Sequence, residues 1–542
     1  MFARLQQFIL GQPLATDEAP QQTITKPVGL AVFASDMLSS VAYATEEILI
    51  VLVAVGVVYF WVSVPIAFAI TVLLTILTIS YRQTIYAYPN GGGAYTVARD
   101  NLGERAAQVA GSALLTDYIL TVSVSIAAGV AQITSAFPAL IPWKVALSVG
   151  AIFFMMIINL RGVKESGRVF AGPTYFFLVM IFGMLAVGFY RFFTGTLPHV
   201  TGVEAAPMAV QGLTIFLLLR AFSSGCTAVT GTEAISNGVT SFREPKSKNA
   251  ALTMAMMSAI LGLLFMGITL LAYYAHAIPM EQETIISQLA RTIYGTGFFH
   301  LLTLAATTVI LIMAANTSFA AFPRLAALHA EDGFLPRHLA NRGSRLVFSG
   351  GIVMLAGFAA LLIILFNANV TALIPLYAIG VFLSFTLSQA GMVVHWKKVG
   401  RLHTGEAVKT RDTTLRPDPK WRLKQIINGV GAVATFIVAM IFTVSKFALG
   451  AWIVVILIPA LVFFFFRIHR HYQSVAKQLS LKNPVPQLLR EKTVVILVAS
   501  VHRGTLRAVE FVKLLDPVHT KAVHIALNPD EAEKVKKKWA QW

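Results

Sequence analysis

The stretch FASDMLSSVAYATEE, residues 33–47, sets three carboxylates and several hydroxyls inside a run that is otherwise apolar from 29 to 54. A charged side chain at the centre of a bilayer costs from about 2.5 kcal/mol upward, so Asp36, Glu46 and Glu47 require a water- or ion-lined interior or a partner on another helix. Small residues and hydroxyls crowd the segment where a lipid-facing helix would carry leucine. Ser39, Ser40 and Thr45 are placed to satisfy backbone groups where such a helix is interrupted. A second stretch, AFSSGCTAVTGTEAISNG (221–238), repeats the theme with Glu233 and three loosening glycines, Gly225, Gly231 and Gly238. Both contain a Ser-Ser pair followed by Thr-Glu. They fall in the first and sixth apolar runs, as expected of two five-helix repeats whose broken first and sixth spans meet at a central site.

Composition agrees with a membrane protein. Of 542 residues 56% are hydrophobic and only 13% charged, against about 25% charged in soluble domains; the mean hydropathy is +0.71. Twelve spans are read near 29–54, 58–80, 107–136, 145–160, 170–192, 211–240, 251–275, 297–321, 346–366, 371–394, 425–445 and 448–466. Alternate loops hold the cations: Arg82, Arg99 and Arg105; Arg161, Lys164 and Arg168; Arg243, Lys246 and Lys248; Arg324, Arg337, Arg342 and Arg345; Lys397, Lys398 and Arg401. The loops between them are nearly free of Lys and Arg, which places both termini in the cytoplasm. The net charge of +18 is dispersed over these loops, so it makes no single basic face for nucleic acid. Cys226 is the only cysteine, and no intrachain disulfide is possible. Residues 1–27 read as a cytoplasmic segment with an amphipathic helix at the interface, 28–466 as the transmembrane domain.

In the third span, LLTDYILTVSVSIAAGV (114–130), Asp117, Thr121 and Ser125 recur at i, i+4 and i+8, one helical stripe carrying a carboxylate and two hydroxyls. Tyr118 flanks it. Oxygen donors alone suit a hard alkali cation whose hydration shell must be replaced. Tyr43 and Tyr377 stand in otherwise aliphatic spans, either adding a phenol oxygen or closing a path, or simply packing. Glu46 and Glu47 are adjacent and point to different faces; a polar contact between helices or a place near the interface would also explain them.

Beyond Phe466, TVVILVAS (493–500) reads as a strand, RGTLRAVEFVKLLD as a helix, KAVHIAL as a second strand and DEAEKVKKKWAQW as a charged helix. Residues 467–542 thus form a partial cytoplasmic α/β domain. Two strands are too few for a doubly covered sheet, so a partner or further chain is expected to complete it.

YPNGGGAYTVARDNLG (88–103) has no preceding strand and no following Lys-Ser/Thr, which excludes a phosphate loop. It resembles the Pro-x-x-Gly-Gly-x-Tyr stretch of the amino acid–polyamine–organocation (APC) transporter superfamily, and RLAALHAEDGFLPRHLA (324–340) resembles the Arg…Asp-Gly-x-Leu-Pro loop of the same proteins. The resemblance implies an all-α LeuT-type fold, with two inverted five-helix repeats plus two helices. Amino acid permeases of that superfamily carry a glycine-rich break in span one; here SDMLSSVAYATEE stands instead, where Asp36 would repel a carboxylate and attract a cation. DMLSSVAYATEE, TDYILTVSVS and TGTEAISNG are similar to the corresponding segments of the KUP family of potassium uptake proteins. That likeness implies proton-coupled potassium import at the bacterial plasma membrane, without a cofactor and without enzymatic activity. It implies potassium oxygens from Tyr43, Asp117, Thr121 and Thr230, further site residues Asp36, Tyr118 and Ser125, proton coupling at Glu233 and an inner gate at Tyr377. It also implies a homodimer through the cytoplasmic domain and repression by cyclic di-AMP. A proton-coupled amino acid or polyamine permease is the alternative.

Overall fold

The computed structural model describes residues 24–91, 93–201, 212–280, 282–343, 345, 347–480, 492–526 and 529–542. Most of the segment 1–27, read above as an interfacial helix, lies outside the described residues. Two compact units are present, one ending at Tyr472 and one from Gln473 to Trp542.

The first unit is helical. Its opening apolar run forms α1 (Lys26–Ser39) and α2 (Val41–Val53), separated at Ser40. The hydroxyls explain why the interruption is tolerated: Ser39 Oγ donates to Asp36 O at 2.7 Å, and Ser40 Oγ lies 2.6 Å from Met37 O. Next come α3 (Ser63–Ala87), the short α4 (Ala94–Asn101), α5 (Glu104–Ala136), α6 (Lys144–Arg161) and α7 (Val163–Phe193). The sixth run does not continue as one helix. It begins as α8 (Ile215–Gly225), tightens to a 3₁₀ turn over Cys226–Val229, unwinds, and resumes as α9 (Ala234–Asn237). Thr230 is extended, with ψ at 155°, and Gly231 has φ +81°, a left-handed conformation that a Cβ would oppose. The rest comprises α10 (Lys246–Tyr274), α11 (Ile285–Tyr294), α12 (Phe298–Glu331), α13 (Ser349–Leu365) and α14 (Val370–Val399). A two-residue hairpin of β1 (Val408–Lys409) and β2 (Thr414–Leu415) precedes α15 (Trp421–Lys446) and α16 (Ala451–Gln478).

Among the described residues ten helices are long and apolar enough to cross a membrane. Two of the twelve expected spans fall short of that measure: the first because Ser40 divides it, the ninth because α13 has 17 residues. The α5 helix lies at the centre, packed against α12 and α14. Its most apolar window is 94% buried, against 17% for the window covering α6. Small residues make this possible, since Gly380 of α14 lies against the backbone of Ala113 and close to Asp117.

At the end of the bundle opposite the basic loops, α11 lies across the helices. Thr284 Oγ1 donates to Gln132 Oε1 at 3.0 Å, and the Ile285 amide donates to Glu46 Oε2 at 3.3 Å. Glu46 therefore holds the free N–H groups of a helix start. Glu47, turned another way, faces Lys446, which in turn faces Arg220. Both glutamates are thus polar ties between helices, one of the readings left open for them by the sequence.

At the basic end, Asp332 is a node. It pairs with Arg99 and Arg411 and accepts from the Tyr95 hydroxyl at 2.6 Å, while Asp412 holds Arg99 from the other side at 2.6 Å. Burial would raise the Asp332 carboxyl, but the Tyr95 hydroxyl and the two guanidiniums outweigh it and hold the group below the usual carboxylate range.

In the second unit β3 (Thr493–Leu497) pairs in parallel with β4 (His519–Val523), connected through α17 (Arg503–Leu514) and followed by α18 (Pro529–Gln541). The connecting helix is what a parallel pair requires. Leu497 is 75% exposed, Ile525 75% and Phe511 62%, a large apolar surface for so small a unit.

Candidate functional site

Helix interruption exposes backbone that must be satisfied or put to use. The break in the sixth run leaves Thr230, Gly231 and Glu233 outside regular helix, directly against the first run: Ser40 Oγ reaches Ala228 O at 3.1 Å. A Cβ placed on Gly231 would lie 2.9 Å from Asp36 Oδ2 and 3.3 Å from the Met37 amide. Asp36 thus sits against the bare backbone of the break. The Thr317 side chain of α12 adjoins its carboxylate.

Tyr377 of α14 ties the cluster together. Its hydroxyl donates to Thr230 Oγ1 at 2.8 Å and neighbours both Tyr43 and Thr121. Four of the expected oxygen donors, Tyr43, Thr121, Thr230 and Tyr377, therefore converge from α2, α5, the break and α14. Asp36, Asp117 and Glu233 lie within electrostatic reach of one another around them, and each is almost completely buried. Tyr118, within electrostatic reach of Glu233, Asp117 and Asp36, accepts a hydrogen bond from Asn237 Nδ2 at 2.9 Å. Ser125 is buried on the stripe one turn beyond Thr121, and no hydrogen bond ties it to the cluster.

Among the described residues, Asp117 Oδ1 and Glu233 Oε2 are buried without a protein hydrogen-bond partner. Buried polar atoms are nearly always paired, and a buried charge needs a counter-charge. Three neighbouring carboxylates, two of them with an orphaned oxygen, and a ring of hydroxyls attract a cation. Among the described residues no group of three or more His, Cys, Asp and Glu side chains is placed to hold a metal ion. The cluster's donors are oxygens, the chemistry of a weakly held alkali ion.

Sequence reading passed over two members of this site. Asn237 and Thr317 are ordinary polar residues in long apolar runs, and only tertiary packing brings them to Tyr118 and Asp36. Tyr81 of α3, also passed over, stands beside the site, within electrostatic reach of Glu233.

A membrane-spanning helical bundle with an unwound segment facing buried carboxylates is the core of a membrane transporter. Residues 29–481 match the family model described as amino acid permease, and residues 490–542 match one described as the KimA potassium transporter C-terminal domain. The chain belongs to the amino acid permease family, and within it to the KimA-like transporters. It is 42% identical over 542 residues to the potassium transporter KimA of Bacillus subtilis (strain 168), covering 100% of this chain and 86% of that protein. It is also 25% identical over 287 residues to the low-affinity putrescine importer PlaP of Escherichia coli (strain K12), covering 51% of this chain and 60% of that protein.

Proposed function

We propose that this protein imports potassium together with protons by alternating access. The observation that carries the proposal is the buried Asp117, whose free Oδ1 stands among the hydroxyls of Thr121, Tyr377, Thr230 and Tyr43. A dehydrated potassium ion is held there by Asp117, Thr121, Thr230 and Tyr43, with Asp36 neutralising charge from the break and Tyr118 and Ser125 flanking the path. Glu233 carries the proton, and Tyr377 closes the inner side. Twelve spans in two inverted five-helix repeats, with the basic face and both termini cytoplasmic, are the frame in which the first and sixth spans rock. The membrane is the bacterial plasma membrane. An inside-negative potential contributes about 2.3 kcal/mol per charge per 100 mV to inward movement, and a proton beside the potassium ion doubles it.

The exposed apolar residues of the second unit, which we take as the partial domain 467–542, support a homodimer formed through it. Regulation by cyclic di-AMP would follow the KUP-type pattern noted above.

Purified protein in proteoliposomes tests the transport reading. Potassium-dependent proton uptake is expected in wild type, and its persistence in Glu233→Gln would sink the coupling role. Rubidium uptake is expected to vanish in Asp117→Asn. A polyamine reading is favoured by the resemblance to a putrescine importer; putrescine uptake without any rubidium uptake would replace the potassium reading.

A further inference from the structure

Among the described residues, four buried polar atoms on α3, on α14 and at the break make no close protein hydrogen bond, and three of them do not belong to the ion site. They are Glu233 Oε2 itself, Tyr81 Oη, Ser388 Oγ and Gln389 Nε2. Tyr81 of α3 lies within electrostatic reach of Glu233 and beside Ser388 of α14. Its ring is held edge-on against Phe385, with ring centroids 5.5 Å apart. From Gln389 the polar residues run on: Ser80 Oγ lies 2.6 Å from both Gln389 Oε1 and Asn428 Oδ1, and Asn428 Nδ2 donates to Gln83 Oε1 at 2.7 Å. Gln83 is half-buried at the basic end of α3, whereas Tyr81, Ser388, Gln389, Ser80 and Asn428 are almost fully buried. Three helices contribute to the file, and Gly431 of α15 leaves the space that the Gln389 amide occupies.

A row of helix–helix clamps would have paired its donors and acceptors. Here Ser80, Asn428 and Gln83 are hydrogen-bonded in a row, whereas Tyr81 Oη, Ser388 Oγ and Gln389 Nε2 are left over. Polar atoms buried without protein partners are ordinarily satisfied by internal water. Hydroxyls and water together conduct protons, whereas a dehydrated potassium ion would need more oxygens than this narrow file supplies.

We propose that Tyr81 and Ser388 form the proton exit from Glu233, separate from the path of the potassium ion, with the Gln389–Ser80–Asn428–Gln83 file leading to the basic face. This rests on the potassium–proton symport reading above. In the step itself the Glu233 carboxyl loses its proton and becomes a carboxylate. The Tyr81 hydroxyl accepts that proton on its oxygen while passing its own to water held at Ser388, so the phenol ends unchanged and no net charge stays on it.

The test uses the full-length protein in proteoliposomes holding a pH-sensitive dye, driven by an inward potassium gradient. Tyr81→Phe and Ser388→Ala are expected to slow proton uptake about a hundredfold, the lower end of what a positioned proton-transfer group contributes. Rubidium protection against thermal unfolding should be unchanged in both variants. Ser388→Thr, which restores a hydroxyl, should recover proton uptake. Thr78→Val, which removes a buried hydroxyl contact between the helix of Tyr81 and Ser258 of α10, should leave it near wild type. Wild-type proton uptake that survives in Tyr81→Phe and Ser388→Ala would overturn the exit route alone. Loss of rubidium protection in Tyr81→Phe would overturn it too, by making Tyr81 part of the ion site. Absence of proton uptake in wild type would instead overturn the symport reading on which the route depends.

Discussion

The hydroxyl of Tyr377, on the tenth apolar run, donates to Thr230 Oγ1, on the sixth, at 2.8 Å. The two residues are 147 positions apart in sequence, and the bond spans the junction between the unwound segment and α14. Tyr377→Phe removes one neutral hydrogen bond, about 1 kcal/mol, and should raise the potassium concentration for half-maximal uptake about fivefold. Thr230→Val should do the same. Combining the two should cost clearly less than the sum, because both delete one contact. Strict additivity in uptake measurements would mean that the two hydroxyls act independently.

Gly231→Ala probes the backbone of the break. With φ at +81° and Asp36 Oδ2 close to the site of the added methyl, the substitution forces a left-handed alanine, a cost of about 1–2 kcal/mol. Uptake is expected to fall while insertion into the membrane is normal. Wild-type transport by Gly231→Ala would show that the segment readily takes another conformation.

Glu46 binds the start of α11 through the Ile285 amide. Glu46→Ala removes an acceptor worth about 1–2 kcal/mol to that helix start, so amide hydrogen exchange over 285–288 should quicken roughly tenfold. Glu46→Gln keeps an acceptor oxygen and should quicken it much less. Equal exchange in all three proteins would show that α11 is held from elsewhere.

The Asp332 node carries a pH dependence of definite sign. A carboxyl held below its unfolded value contributes stability at all pH values above the ordinary 3.8, and loses it as pH falls through the lowered folded value. Removing one partner of a buried ion pair costs about 3 kcal/mol. Detergent-solubilised Asp332→Asn should therefore unfold at a lower temperature than wild type at pH 7. The gap should narrow only below about pH 4, the ordinary carboxylate range. A gap that closed already between pH 7 and 5 would assign the dependence to another group.

What could be read from the chain alone was whatever the bilayer makes expensive. Asp36, Asp117 and Glu233 announce themselves because a carboxylate amid leucines has few physical justifications, and the stripe of Asp117 and Thr121 is legible from helical spacing. Gly231 was visible as a loosening residue, yet its left-handed turn against Asp36 depends on two segments meeting. The α11 helix was read as part of an outer loop, since IISQLARTIY is short and amphipathic and gives no span signal. Tyr118 was grouped with the ion site, and its hydrogen bond from Asn237 is a contact no spacing rule contains. Ser125 has the right period and is buried on the same stripe, one turn beyond Thr121.

The Asp332 node also has a place in time. Its partners emerge from the ribosome in the order Tyr95 and Arg99, then Asp332 itself, then Arg411 and Asp412. Until residue 412 is made, the buried Arg99 and Asp332 have only each other and the Tyr95 hydroxyl, and the β1–β2 hairpin that brings their remaining counter-charges does not exist. Biogenesis of this membrane domain therefore cannot finish span by span. Chains arrested before residue 408 should expose the basic end to protease, and those arrested after 415 should protect it.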